Sequence, residues 1–408
     1  MTGLARLSPF AVGMLFIGSG VARPEPKDID TRTLRGKVLC GYQGWFRCPG
    51  DGTKSGWMHW SRDAQRITVR ALTFEMWPDL SDFTADEKFA APGFTHADGK
   101  QAYLFSSAHP KTVQRHFEWL RDHDIDGVFL QRFLVNLDDP GMERVLSHVR
   151  NSARNTGRVF AVEYDMTGMS SDKIVDALSR DWRRLVRDLK ITQDPRYLHH
   201  NGKPVLAIFG FFSDRFDAAL ARQIIASVRK ETHGVTLIGS GQWWWRTEKD
   251  AAWAKVLRTF DIICPWNVGN TTMVDGRVQA RTDMWTQDLA EARKAGMGFM
   301  PVIYPGFGWD NLMKKKPGST TIPRRGGQFL WEQFTTARRL DIDMAKIAMF
   351  DEVDEGTAIF KVSNQPPRPG RFLTYEDLPA DWYLRLTGAG ARLLRDKGVP
   401  GKEIPIKP

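Results

Sequence analysis

Short runs of aliphatic and β-branched residues recur along the chain, each followed by a stretch whose apolar positions return every three or four residues. The runs are Lys37–Tyr42, Gly127–Arg132, Arg158–Tyr164, Pro204–Phe209, Val235–Gly239, Phe260–Cys264, Gly298–Ile303 and Lys346–Asp351. Such runs fit strands buried on both faces, as in a parallel sheet covered by helices. Lys111–His123, Met142–Asn155, Asp172–Leu189 and Gly327–Leu340 have the helical period instead. Pro140 and Gly326 stand where helices start, and Gly234 and Gly296 where they end. Strands alternating with helices in this number predict an α/β fold of the (β/α)8 TIM-barrel type. Arg66–Trp77 and the Gly- and Pro-containing Ala91–Gly99 fall outside the alternation and are assigned to a long excursion after the first strand. A doubly wound open sheet fits less well, because no glycine cluster precedes a helix with the spacing of a phosphate loop.

No repeat or Pro/Ser-rich linker divides the chain, so residues 23–408 read as one domain. Residues 1–22 differ. They carry one base, Arg6, no acid, an apolar stretch from Leu7 to Ile17, and then Gly20-Val21-Ala22. That is the pattern of a secretory signal peptide cleaved near Ala22, and it predicts a secreted or periplasmic protein. No later apolar run reaches the roughly 18 residues of a membrane helix, so no stable membrane insertion is expected after signal removal. Cys40 and Cys48 bracket a turn and could pair in an oxidising compartment, whereas Cys264 reads as a buried thiol. No CxxC or His/Cys ligand spacing is present, and neither a metal nor a cofactor is expected.

The 408 residues are 42% hydrophobic and 26% charged, which excludes a disordered chain or a polytopic membrane protein. Fifteen Trp against seven Tyr is an excess of flat, amphipathic rings of the kind that stack on sugars or nucleobases. The net charge of +10 permits nucleic acid without requiring it. In a barrel the chemistry sits at the C-terminal strand ends, and reading those ends selects the candidates. Tyr42, Gln131, Arg132, Tyr164, Asp165, Trp266, Tyr304 and Asp310 are the expected sugar contacts. At least one ring of Trp243-Trp244-Trp245 should be packed, and Arg324-Arg325 is either an anion clamp or a helix-start loop. The rim gathers aromatics, amides and carboxylates, which describes a carbohydrate cleft and argues against nucleic acid.

The last run leads into Asp351-Glu352-Val353-Asp354-Glu355-Gly356-Thr357, four acids in five positions. Acids this close repel, so at least one pKa should rise. Glycoside cleavage needs two carboxyls in different protonation states, and Glu352 and Glu355 are the expected catalytic pair. A calcium loop would need alternating acids around a central glycine, which this spacing lacks. Arg132, beside the acids, could hold one carboxylate ionised.

Phe350-Asp351-Glu352-Val353-Asp354-Glu355-Gly356-Thr357 resembles the final-strand motif Phe-Asn-Glu-Trp-x-Glu-Gly-Thr of glycoside hydrolase families 71 and 99, the second of which contains endo-α-mannosidases. Gly41-Tyr42-Gln43-Gly44-Trp45-Phe46, Gly56-Trp57-x-His59-Trp60, Phe74-Glu75-Met76-Trp77-Pro78-Asp79 and Gly127–Phe133 are similar to bacterial 71/99-like proteins, and the likeness spans most of Val38 to Val362. The chain departs from the motif at Asp351 and Val353. The resemblance implies hydrolysis of an α-linked, mannosidic glycan with retention. The sugar's own 2-oxygen would attack the anomeric carbon, with Glu352 as base at the 2-hydroxyl and Glu355 as acid/base at the glycosidic oxygen. The alternatives are a barrel that binds carbohydrate without cleaving it, and a glycosidase for a xylo-, arabino- or charged glycan.

Overall fold

The computed structural model describes residues 28–232 and 234–408; the signal peptide expected in residues 1–22 lies outside them. The strands are β1 (Lys37–Tyr42), β2 (Phe89–Thr95), β3 (Gln101–Leu104), β4 (Gly127–Phe133), β5 (Val159–Asp165), β6 (His199–His200) and β7 (Lys203–Phe211), followed by β8 (Thr236–Gly241), β9 (Ile262–Pro265), β10 (Thr271–Val274), β11 (Arg277–Ala280), β12 (Gly298–Phe299), β13 (Val302–Ile303) and β14 (Met344–Ile347). The α-helices are α1 (Pro110–Asp122), α2 (Pro140–Thr156), α3 (Ser171–Arg183), α4 (Ala218–Glu231), α5 (Ala251–Leu257), α6 (Trp285–Lys294), α7 (Gln328–Arg339) and α8 (Trp382–Arg395).

Parallel pairing runs β9-β8-β7-β5-β4-β1-β14. The expected seventh run, Gly298–Ile303, closes the ring in two pieces. β12 pairs with β9 and β13 with β14, while Met300 N–H donates to the Ile263 carbonyl (3.0 Å) and the Pro301 carbonyl accepts from Lys346 N–H (3.0 Å). A helix follows each barrel strand, and the fold is the expected (β/α)8 barrel. The excursion is also where it was expected, between β1 and α1, and it carries the β2–β3 hairpin. The last strand runs from Met344 to Ile347, earlier than the Lys346–Asp351 run, because the chain turns out of the ladder after Ile347.

Local chemistry accounts for the element ends. Pro140 opens α2 behind Asp139, whose carboxylate accepts from Gly141 N–H (2.9 Å), and Gly157 ends the helix in the left-handed region. β1, β5 and β14 are buried at every position. The three cysteines are buried and free, so Cys40 and Cys48 do not pair; the Cys48 thiol donates to the Phe105 carbonyl instead (3.2 Å). Among the described residues no helix is long and apolar enough to cross a membrane. No group of three or more His, Cys, Asp or Glu there could hold a metal ion. A cavity of about 440 Å³ lies at the N-terminal end of the barrel, lined by His200, Thr236, Asp261 and Asp343, far from the strand ends that carry the acids.

One ion pair sits inside the barrel. Lys346 Nζ lies 2.6 Å from both oxygens of Glu163, and each side chain is 1% exposed. Gln131 Nε2 donates to the same carboxylate (2.7 Å), and the Lys346 ammonium stands 5.3 Å from the Trp266 ring centre. Removing one partner strands the other charge without water. Glu163→Ala is therefore expected to lower the unfolding free energy by about 3–5 kcal/mol in urea titration, and the double replacement Glu163→Leu/Lys346→Met by much less.

Candidate active site

β14 delivers the chain to the C-terminal mouth of the barrel, where residues 351–357 form a tight turn. The turn is tied to the end of β1. Asp351 is fully buried, and its carboxyl accepts from the backbone N–H of Gln43 (2.8 Å) and Gly44 (2.9 Å). The Gln43 side chain in turn donates to Glu352 Oε1 (2.6 Å), and the Thr357 hydroxyl donates to Oε2 (2.8 Å). Glu352 is thus gripped at both oxygens. Gly308 N–H donates to the Glu355 carbonyl (2.9 Å), and Arg324 donates to the carbonyls of Gly356 (2.8 Å) and Ala358 (2.7 Å). Gly356 has φ 61°, and a Cβ there would lie 3.0 Å from Gly308 N, so the turn needs a glycine on both counts.

Burial dominates the electrostatics. It pushes the Glu352 pKa well up, and the neighbouring charges of Glu355 and Asp354 add to the rise. Burial, then Asp354 and Asp165, raise Glu355 to about 7. Asp351 is raised to about 7 by burial against the pull of its two amide bonds. Glu75, from the excursion, is also raised to about 7, by burial and then by Asp310 and Asp354. Its backbone N–H donates to the Val353 carbonyl (2.7 Å) and its carboxylate accepts from Asn311 N–H. Two carboxyls on one turn whose protonated forms are favoured by burial and mutual repulsion are equipped to donate at one atom and accept at another.

Strand geometry sorts the expected contacts. Successive side chains on a strand point to opposite faces. Gln131, Glu163 and Asp165 face inward, with Trp266 half-buried beside Lys346. Tyr42, Arg132 and Tyr164 do not line the cleft, because the alternation turns them outward into the helical layer. The Tyr42 hydroxyl bonds to His116 of α1 (2.9 Å). Arg132 grips Asp181 of α3 (2.9 and 2.8 Å) and Glu143 of α2 (2.8 Å), not the acids of residues 351–355, and the Tyr164 hydroxyl donates to the same Asp181 (2.6 Å). Tyr304 is buried with its hydroxyl on the Asn270 carbonyl (3.3 Å). Asp310 is consumed by its own loop, accepting from Gly318, Ser319 and Thr320. Trp245 is packed in the core while Trp244 is exposed. Arg324 braces the acidic turn and Arg325 pairs with Glu332 (2.6 Å), so neither is an anion clamp.

No known protein-family profile and no curated protein matches this chain. Its fold does match. A solved structure of the GH99 endo-α-mannosidase from Bacteroides thetaiotaomicron, in complex with bis-tris-propane, superposes with a TM-score of 0.67 at 17% identity, covering 89% of this chain and 98% of that one. A second structure of that enzyme gives a TM-score of 0.67 at 17% identity, over 90% and 99% of the two chains. The likeness is one of fold. The family that the strand-end motifs resemble is also one whose barrel this chain shares.

Gln43, Glu75, His59 and Glu163 were not among the expected site residues. The signal for Gln43 and Glu163 was the two-residue period, since each lies two positions from an inward residue, Gly41 and Asp165 respectively. Glu75 and His59 lie in the family-like segments Phe74–Asp79 and Gly56–Trp60, but nothing local says that the excursion returns them to the acidic turn. A carboxyl whose pKa is higher folded than unfolded binds more protons in the folded state between the two values, so stability falls as pH rises through that window. Glu355→Gln is accordingly expected to stabilise the protein by about 1–2 kcal/mol at pH 8 and by nothing measurable at pH 4, in denaturation curves recorded at both.

Proposed function

We propose that this chain is a glycoside hydrolase that cleaves an α-linked, mannosidic polysaccharide or glycan with retention, using Glu352 and Glu355. The observation that carries the reading is the pair itself. Two buried carboxyls with raised pKa occupy one braced turn at the mouth of a barrel shared with an endo-α-mannosidase. Glu352, fixed by Gln43 and Thr357, suits a base that must meet one hydroxyl in one place. Glu355, less constrained and with a pKa of about 7, suits the acid at the leaving oxygen.

In the first step Glu352 takes the proton of the 2-hydroxyl as its oxygen attacks the anomeric carbon. The glycosidic bond breaks, and the leaving oxygen takes the proton of Glu355. In the second, Glu355 removes a proton from water as the water oxygen attacks the anomeric carbon, the bond from O2 to that carbon opens, and Glu352 returns its proton to the 2-oxygen. The two inversions give net retention. Half-buried Trp266 and inward Asp165 supply a ring and a hydrogen-bond acceptor for the sugar. The leader pattern of residues 1–22 supports an exported, secreted or periplasmic enzyme whose mature chain begins after Ala22.

Hydrolysis of a panel of α-glycans, with NMR of the first-formed anomer, tests the proposal. Glu352→Gln and Glu355→Gln are each expected to lower the rate by about 10³-fold. The wild-type rate should rise with pH through about 7, as the pair gives up the first of its two protons and gains a base, and fall again at higher pH as it gives up the second. Undiminished hydrolysis by both variants would remove the catalytic assignment, and an inverted product would remove the neighbouring-group step.

A further inference from the structure

Asp354 stands between the two glutamates on the turn, and it is 2% exposed. One of its oxygens lies 3.2 Å from His59 Nδ1; the other is buried without a hydrogen-bond partner among the described residues. His59 comes from the excursion and is held firmly. Its ring stacks on Trp45 at 3.8 Å and 8°, and Trp45 stacks in turn on Phe133 at 4.9 Å. Its backbone sits at φ 63°, a conformation that strains a residue with a Cβ and persists only where contacts on all sides impose it. The Thr73 hydroxyl bonded to its carbonyl is one such contact.

We propose that His59 and Asp354 form a positioning dyad: the locked imidazole holds the Asp354 carboxylate in one orientation beside Glu352 and Glu355, so that its charge acts on the pair from a fixed place. A buried carboxylate with one oxygen unsatisfied repels any further negative charge nearby, and the cheapest relief is for a neighbouring carboxyl to remain protonated. The other ionisable groups facing the turn do not neutralise Asp354. Glu75 and Asp165 are themselves acids, Asp351 is committed to the Gln43 and Gly44 amides, and the Arg324 guanidinium is turned to the carbonyls of Gly356 and Ala358. The anion's effect reaches Glu352, Glu355 and Glu75 alike. His59 is thus the device that keeps the Asp354 carboxylate where it acts on the pair.

The inference rests on the glutamate-pair reading, but its test needs no substrate. Protein carrying ¹³C-carboxyl glutamate is titrated by NMR, with Glu352→Gln and Glu355→Gln assigning the two signals. Asp354→Asn is expected to lower the midpoints of the pair by about one pH unit. His59→Ala should act in the same direction, because the Asp354 carboxylate is then no longer held in place beside the pair, while His59→Asn, which keeps an N–H donor, should preserve the wild-type midpoints. Midpoints within about 0.2 pH unit of wild type in Asp354→Asn, or equal shifts in His59→Ala and His59→Asn, would overturn the dyad. If Asp354→Asn does not fold, the two His59 variants decide alone. Shifted midpoints in a protein that cleaves no glycan would overturn the hydrolase reading and leave the dyad standing.

Discussion

The carboxyl of Asp351 ties the last strand of the barrel to the first. Both of its oxygens accept backbone amides, Gln43 N–H and Gly44 N–H, where the side chain is closed off from solvent. Everything at the mouth follows from that knot. It sets where the Gln43 side chain meets Glu352, and it fixes the start of the turn that carries Asp354 and Glu355. The motif that the segment resembles has Asn at this position. An Asn can accept from one amide but would turn a second N–H toward another, so a carboxyl is the better match to two converging donors. The acid that breaks the motif is therefore committed to architecture, and its raised pKa reflects how completely it is enclosed.

The mouth of the barrel concentrates groups that oppose folding. Glu352, Glu355, Asp351 and Glu75 all have their ionised forms disfavoured by burial. Bracing by Arg324, Gly308 and the Trp45–His59 stack holds them there regardless. Such an arrangement is costly in a protein selected for stability alone, and it is the usual condition of an acid/base site. The excursion after β1 is what makes it tolerable. It brings Glu75, whose N–H is bonded to the Val353 carbonyl, and His59, bonded to Asp354, against the outer side of the turn.

Most of the architecture was legible because it depends on short-range period and punctuation. Runs apolar on both faces, Pro140 at a helix start and the acid-rich final segment all gave the right elements in the right order. Side-chain direction was legible in principle but was lost when neighbouring residues were taken together. Gln131 and Arg132 cannot both face the axis, nor can Tyr164 and Asp165, and the outward member of each pair went to Asp181. The buried pair of Lys346 and Glu163 was hidden for another reason. Each charge sits in an otherwise apolar strand, and nothing near either residue announces a partner 183 positions away. Contacts made by the excursion were beyond reach, since no local rule says where a long insertion returns.

The strand that closes the barrel has a consequence for how the molecule comes apart. β12 and β13 are two residues long, each is paired on one side only, and Pro301 between them has no amide to contribute. Every other seam is longer, and the one between β1 and β14 is reinforced by Asp351 just beyond its end. The ring therefore has a weak link and a strong one on opposite flanks of β14. Force or heat that opens the barrel at residues 298–303 leaves β1, the turn and both glutamates together as one unit. The acidic turn is attached to the side of the cylinder that lets go last.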